Sequence, residues 1–381
     1  MATISIALFF RPVSMTRFLF LDFLKVVAFN LIVFHHLAFY GPMADQVRHA
    51  LPDLIDWLAG PARIAVQIFL VVGGFLAAKS LASRGQARLF WLWQELTRRF
   101  VKLVPPFMVA MLLAVAASRC AAIWIDHYSL TPSPTWAQIA AHALLLHGVL
   151  GVESLSAGAW YVAIDFQLYA LLVLLFSLAR GFRNNDASRW RVPLLIAVGI
   201  AASLFYFNPD PQWDNWAPYF FGSYGLGALA WLASRGMRSS TGSALLIGIM
   251  ILLGGLALEF DFRSRIALAL AVSLALAMVY GGAQAAVRWE VPGLHYLARI
   301  SYSVFLIHFP VCVLVNTLFT CIGSSSPLVQ GIGMLVAWVA SIAAGALFHR
   351  WVEIPLGRLI ALPKLPKPVR AEAGPIPPLR P

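Results

Sequence analysis

The chain of 381 residues is 60% hydrophobic and only 12% charged, and its mean hydropathy is +0.79. A water-soluble domain carries about 25% charged residues, so this composition excludes an ordinary soluble protein. In a soluble protein, the formal net charge of +12 would suggest nucleic-acid binding. In a membrane protein the same excess is typical of basic cytoplasmic loops, so we expect a lipid bilayer as partner and no nucleic acid.

Stretches of about 20 apolar residues predict membrane-spanning helices. Ten such stretches occur, at 18–40, 62–82, 102–125, 158–179, 192–208, 216–234, 242–260, 264–284, 299–321 and 328–348. The sequence therefore predicts an all-α integral membrane protein, a bundle of about ten transmembrane helices in a domain covering 18–350. An eleventh apolar stretch, 136–150, is too short for its length to decide whether it crosses.

The distribution of positive charge settles the topology. With the N-terminus inside, all but five of the 28 Lys and Arg residues lie on the cytoplasmic side, as the positive-inside rule requires. The five on the outer side are Arg48, Arg63, Arg119, Arg263 and Arg265. A crossing at 136–150 would destroy this bias, so we predict a re-entrant or interfacial segment there and cytoplasmic termini.

The two ends of the chain are predicted to lie outside the bundle. Residues 1–17 lack the basic region and cleavage site of a signal peptide and form a predicted cytoplasmic extension. Residues 351–381 form a predicted cytoplasmic tail, whose Pro-rich, charged part from Pro363 should be disordered. The cysteines Cys120, Cys312 and Cys321 match no metal-binding spacing or disulfide framework, so no metal site is predicted.

Ionisable residues inside the predicted spans are costly and mark candidate functional sites. His35 and His36 lie near the outer end of the first span and point about 100° apart on a helix, so only one should face a given site. Asp165 lies one to two turns into a span that enters from outside, at a similar depth. A carboxylate there could orient an imidazole that abstracts a proton, or could form a structural ion pair.

A basic cluster marks the predicted cytoplasmic end of the third span. Arg98, Arg99 and Lys102 precede Pro105, and Lys25 enters the first span from the same side. Such residues can bind phosphates, but they can also anchor topology. His308 lies near the middle of a later span, where it could line a site or bond a neighbouring helix.

Six segments in order resemble the membrane-bound acyltransferase 3 family. They are "LDFLKVVAFNLIVFHH", "VQIFLVVGGFLAAKSL", "RRFVKLVPPF", "WYVAIDFQLY", "ISYSVFLIHFP" and "VEIP". The family's eleven-residue spacing from an Arg to a His falls on Lys25 and His36 and passes over His35. The late Ser-Tyr…His-x-Pro motif falls on Ser301, Tyr302, His308 and Pro310.

Four positions depart from the family pattern. Lys25 and Lys102 stand where the family has Arg, Gly73 where it has Ser, and Asp165 where it has Glu. The charges are kept, but Lys cannot form the bidentate fork of Arg, and Asp reaches less far than Glu.

The resemblance implies transfer of an acyl group, usually acetyl, from cytoplasmic acyl-CoA as co-substrate to a hydroxyl of a carbohydrate or lipid-linked glycan, with no resident cofactor. It implies catalytic roles for His36, as general base or acyl carrier, and for Asp165, which would orient His36 or the acceptor. It also implies that other residues bind the two substrates. These are Lys25, Arg98, Arg99 and Lys102 for acyl-CoA, and Trp160, Gln167, Tyr169 and His308 for the acceptor.

Two other functions fit the same residues. A secondary transporter or polysaccharide exporter could use the His and Asp residues as a proton relay, although the sequence has no clear internal repeat. A membrane sensor could keep the fold and lack activity, which the Lys-for-Arg changes would allow. The sequence does not select the acceptor or the oligomeric state, and the predicted location is the bacterial inner membrane.

Overall fold

The computed structural model describes residues 19–82, 89–180, 188–236, 240–281 and 291–360. Within these ranges all regular secondary structure is helical, which confirms the predicted all-α class. The helices are α1 (Leu19–Phe39), α2 (Pro42–Arg48), α3 (Pro52–Ala59), α4 (Val66–Ala82), α5 (Leu89–Ala121), α6 (Trp136–Ala143), α7 (Ala159–Arg180), α8 (Ser188–Ala202), α9 (Ala217–Trp231), α10 (Ser240–Phe260), α11 (Ser264–Gly281), α12 (Leu294–Cys321), α13 (Pro327–Phe348) and α14 (Ile354–Leu359).

Nine helical segments within the described ranges are long and apolar enough to cross a bilayer. They are Leu19–Phe39, Pro52–Ala82, Trp91–Ala121, Ala159–Ala179, Trp190–Phe207, Thr241–Phe260, Ser264–Gly281, Leu294–Cys321 and Pro327–Leu359. The α10 segment is only 22% buried inside the protein, although its mean hydropathy is 2.2. Such an apolar exposed surface requires lipid as its solvent.

The tenth predicted span, 216–234, corresponds to α9. Its glycines, serine and tyrosines lower its hydropathy, and twelve of its fifteen residues are buried. At one end the Arg265 guanidinium stacks on the Tyr219 ring, and at the other the Ser243 hydroxyl bonds to the Ala233 carbonyl beyond α9. Because α9 connects the same two ends of the bundle as its neighbours, it completes the predicted set of about ten.

The short segment at 136–150 does not cross the bundle. α6 covers only eight residues and begins with a capping box, in which Thr135 and Gln138 satisfy each other's backbone N–H groups. The turns that follow lead directly into α7, and Trp136 is largely exposed. This fits the predicted interfacial or re-entrant segment.

Two boundaries differ from the sequence prediction. α5 begins at Leu89, about 13 residues before the predicted start of the third span at 102. After α13, a π-helical turn (His349–Glu353) and α14 continue past the predicted domain end at 350. The predicted N-terminal extension 1–17 and residues 361–381 of the predicted tail lie outside the described residues.

Helices α4 and α9 pack with their backbones in contact. A Cβ atom built on Gly74 would lie 1.9 Å from the Tyr224 carbonyl oxygen, and one on Gly227 would lie 2.0 Å from the Val71 carbonyl oxygen. Small residues permit this close approach in membrane bundles, where packing rather than water exclusion drives helix association. This contact fixes the position of the residues that both helices contribute to the site described below.

We predict that Gly74→Ala destabilises the protein by about 3 kcal/mol or prevents folding, because the methyl group would overlap backbone atoms that cannot rotate away. Thermal unfolding of the detergent-purified protein measures the loss. Gly248→Ala on α10 is the matched control, since a Cβ there meets nothing within 4 Å. The control should be neutral or stabilise by about 0.5–1 kcal/mol, and equal losses for both variants would contradict the prediction.

Candidate functional site

A cavity of about 1020 Å³ opens at one end of the bundle. The C-terminal end of α1, the N-terminal ends of α4, α7, α9 and α11, and the segment between α6 and α7 enclose it. Three of the predicted site residues border it, namely His36, Trp160 and Gln167. Its volume is at the upper end of the range usual for small-molecule sites.

His36 is hydrogen-bonded to His308 at the wall of this cavity. The Nδ1 atom of His36 lies 2.6 Å from Nε2 of His308, and the two rings are nearly parallel. The His308 Nδ1 atom lies 2.7 Å from the Phe305 carbonyl oxygen. Both side chains are buried. The sequence singled out both histidines, but not their contact.

This chain of hydrogen bonds fixes the protonation pattern of the pair. A carbonyl oxygen only accepts, so the His308 Nδ1 atom must carry its ring proton. In neutral His308 the Nε2 atom then accepts, and His36 must donate from Nδ1. The remaining ring nitrogen of His36, Nε2, keeps its lone pair and has no hydrogen-bond partner among the described residues. The geometry thus leaves a free base beside the cavity.

His35 takes a different hydrogen bond but borders the same cavity. Its Nδ1 atom lies 3.0 Å from the Leu58 carbonyl oxygen at the end of α3. The ring centroids of His35 and His36 are 5.1 Å apart, and both rings line the cavity wall. The prediction that only one of the two histidines could face a given site is therefore wrong for this cavity. The cavity is wide enough to contact α1 in both of the directions in which His35 and His36 point.

Asp165 does not contact His36. Its Oδ2 atom forms an ion pair with the Arg99 guanidinium at 2.5 Å, and it is not among the residues that border the cavity. The predicted orientation of His36 by Asp165 is corrected accordingly, since His308 takes that place. A buried carboxylate needs a cationic partner, and α5 supplies one where it packs against α7.

Aromatic side chains surround this ion pair. The Arg99 guanidinium lies 5.1 Å from the centre of the Tyr169 ring, and the Tyr169 hydroxyl donates to Glu95 at 3.2 Å. Glu95, which is only 2% exposed, also pairs with Arg98 at 3.3 Å. Tyr169 therefore supports a charged network between α5 and α7, instead of lining the cavity as predicted.

The basic cluster lies within α5, not at its end. Arg99 is ten residues after Leu89, which places it about 15 Å along the helix. Arg98 and Arg99 are both engaged by carboxylates. Lys25 and Lys102 lie close enough to repel each other, and neither forms an ion pair with a carboxylate in the described residues. Among the four residues predicted to bind acyl-CoA, these two are the most available to an anion.

The remaining predicted residues, Trp160 and Gln167, contact the cavity or support its wall. Trp160 borders the cavity and packs against Phe220 with ring centroids 5.6 Å apart. Gln167 also borders it, but its amide nitrogen donates to the Leu145 carbonyl at 3.1 Å. That bond holds the segment after α6, in which Leu145 adopts a left-handed φ of 57°.

The sequence analysis missed several polar residues of the bundle. Gln67, a cavity residue, sits in an otherwise apolar run, which is the signal that could have found it. Glu353 accepts from Ser303 at 2.5 Å and from His349 at 2.9 Å, and lies within electrostatic range of Lys102. His142 and His147 lie outside the predicted spans, so only the fold identifies them as buried polar residues.

His142 of α6 and His147, which follows α6, form a second histidine pair. Their rings are parallel, with centroids 4.0 Å apart, and both residues are fully buried. The His142 Nδ1 atom bonds to the Gln138 carbonyl, and its Nε2 atom accepts from the Leu155 N–H. Burial, reinforced by the neighbouring His142, lowers the pKa of His147 to about 4.

Comparison with known proteins gives one family and one distant relative. The acyltransferase domain model of the acyltransferase 3 type matches residues 18–348. The chain is 22% identical, over 399 residues, to a Caenorhabditis elegans protein named Regulator of hypoxia-inducible factor 1, and the match covers 89% of this chain and 79% of that protein. No solved structure gives a significant match. The relative's name describes no chemical reaction, so the family match carries the chemistry.

We predict that acidification destabilises the protein through His147. The unfolded chain binds a proton near pH 6.5 that the folded chain accepts only near pH 4, so the stabilising contribution is present above 6.5 and is lost as the pH falls towards 4. The loss is about 3 kcal/mol. Thermal unfolding across this range should show it, and His147→Phe, which keeps an aromatic ring in the stack, should flatten the profile. Identical pH profiles for both proteins would contradict the prediction.

Proposed function

The chain belongs to the acyltransferase 3 family, and from this premise we propose that it transfers an acyl group, in the simplest case acetyl, from cytoplasmic acyl-CoA to a hydroxyl of a carbohydrate or lipid-linked glycan. The observation that carries the proposal is the His36–His308 pair, which leaves one unprotonated imidazole nitrogen at the wall of a large cavity. An imidazole so held is suited to general-base catalysis.

In the proposed reaction His36 removes the proton from the acceptor hydroxyl. The resulting oxygen nucleophile attacks the thioester carbonyl carbon, the C–S bond breaks, and CoA leaves as a thiolate. The imidazolium returns the proton to this thiolate, so that an ester and free CoA are the products. His308 is a positioning residue, because its Nε2 lone pair accepts from His36 Nδ1 and stabilises the positive charge that His36 acquires.

Lys25 and Lys102 are proposed to hold the phosphates of acyl-CoA. His36 is eleven residues after Lys25, which corresponds to about 16 Å along α1, so the anionic part of the donor and its thioester would sit at different depths. Glu353, which lies near Lys102, would position the ammonium group of Lys102. Arg99 and Asp165 neutralise each other between the proposed phosphate site and the proposed thioester site, and they would keep α5 and α7 in register.

The cavity is proposed to face the outside of a bacterial inner membrane, with both termini cytoplasmic. Three of the five arginines assigned to the outer side, Arg63, Arg263 and Arg265, border the cavity, which supports this orientation. Aromatic faces at the cavity wall, among them Trp160 and Phe220, suit the apolar faces of sugar rings. A C-terminal reporter active only outside the cytoplasm would overturn the orientation.

We predict that His36→Ala lowers acyl transfer by about 10²–10⁴-fold, because it removes the base. The detergent-purified protein is incubated with acetyl-CoA, and mass spectrometry follows free CoA, acylated acceptor and any acyl adduct on His36. His35→Ala is the matched control, because its ring hydrogen-bonds only to a backbone carbonyl. A larger loss for His35→Ala than for His36→Ala, with both proteins folded, would overturn the assignment.

We predict that Lys25→Ala and Lys102→Ala each raise the KM for acetyl-CoA about tenfold or more, while kcat changes less, because each removes a charge-assisted contact to phosphate. Lys→Arg variants should restore most of the affinity. Arg358→Ala, an exposed cation on α14, is the control and should leave KM unchanged. An unchanged KM in both lysine variants would contradict the proposed donor site.

A further inference from the structure

Gln67 occupies a position that packing alone does not explain. It is the second residue of α4, only 6% exposed, and lies in an apolar run of the helix. Its Oε1 atom accepts a hydrogen bond from the Ser223 hydroxyl of α9 at 2.6 Å. Because that hydroxyl fixes the carbonyl end of the amide, the orientation of the NH₂ end is fixed as well.

The NH₂ end of Gln67 carries two donors without a protein acceptor among the described residues. Gln67 borders the cavity, so a ligand in the cavity can reach this side chain. Buried polar groups in native proteins nearly always have a partner, and one left open beside a cavity points to water or a substrate. The α4–α9 contact does not need this amide as a link, since the glycine contacts already bring the two backbones together.

Gln67, His36 and Tyr161 border the same cavity. The Tyr161 ring packs at a tilt against Phe69 of α4, with ring centroids 5.9 Å apart, and edge-to-face against Phe305 of α12 at 5.3 Å. Phe305 in turn contacts His308, the partner of His36, with ring centroids 5.9 Å apart. A continuous series of ring contacts thus runs from α4, the helix that carries Gln67, to the His36–His308 pair.

We infer that Gln67 is a further catalytic residue, whose Nε2 atom donates a hydrogen bond to the acyl carbonyl oxygen as negative charge develops on it. The inference rests on the proposed acyl transfer. When the acceptor oxygen attacks the carbonyl carbon, the C=O electron pair moves onto oxygen, and it returns as the C–S bond breaks. A donor held in advance by Ser223 stabilises this oxyanion without reorganising, which is the usual advantage of such a site.

Gln67→Glu tests the inference, because it keeps the size of the side chain and the acceptor for Ser223 while replacing both donors by a carboxylate oxygen. We expect kcat for acyl transfer to fall by about 10²–10³-fold with little change in the KM for acetyl-CoA. Gln67→Ala should show a similar loss. Ser223→Ala should show a smaller loss of kcat, because the amide remains but is no longer held.

Gln330→Ala is the matched control, since this buried glutamine of α13 donates from its amide to two backbone carbonyls, Phe319 and Ser324. It should reduce thermal stability and leave kcat per folded molecule unchanged. A raised KM with an unchanged kcat in Gln67→Glu would overturn the inference and place Gln67 in ground-state binding. An inactive wild-type protein would instead refute the proposed function, so the two failures are distinguishable.

Discussion

The requirement that polar groups inside a bilayer find their partners within the protein governs this structure. Several ionisable groups in the described helices obey it, as the pairs Arg99–Asp165 and His36–His308 illustrate. Each pair joins different helices, so the same contacts that remove an energetic cost also fix how the helices pack. Breaking one such pair by removing a single partner leaves a buried charge or dipole uncompensated, which costs more than the pair itself contributes.

Against this background the unsatisfied groups are informative. His36 and Gln67 border the cavity, and each has a side-chain nitrogen without a hydrogen-bond partner in the described residues. Lys25 and Lys102 lie close together, and neither forms an ion pair with a carboxylate in the described residues. These are positions where the protein accepts a cost that an apolar side chain would avoid. In the proposed reaction each has a partner that is absent until the substrates bind, namely a hydroxyl, an acyl oxygen and phosphates.

The sequence predicted the all-α membrane architecture because hydropathy depends only on local pattern. It singled out His36 as a candidate through the resemblance, because the family motif has a His eleven residues after the position of Lys25. The partner of His36 could not be predicted, because α1 and α12 meet only through tertiary packing 272 residues apart along the chain.

The start of α5 was predicted too late for a related reason. A hydropathy window counts Glu95 and Arg98 as charges, whereas in the bundle they neutralise each other. The short helices α2 and α3 carry too little apolar length to give a signal.

Two of the four departures from the family pattern, Gly73 and Asp165, lie at the Arg99–Asp165 ion pair. A Cβ atom at Gly73 would lie 3.4 Å from Oδ1 of Asp165 and 3.1 Å from the Tyr224 ring, so the serine usual in the family would place a hydroxyl beside both. Here the Tyr224 hydroxyl is buried and has no hydrogen-bond partner among the described residues. The shorter Asp165 still forms an ion pair with Arg99. Because Gly73 replaces the serine, Tyr224 lacks the hydroxyl group that the serine would place beside it. These two substitutions therefore alter the surroundings of Arg99 and Asp165 and leave the His36–His308 pair unchanged. In the proposed reaction, which brings a cytoplasmic donor to an acceptor on the opposite side, this layer is where the path of the donor can vary while the proposed chemistry at His36 stays the same.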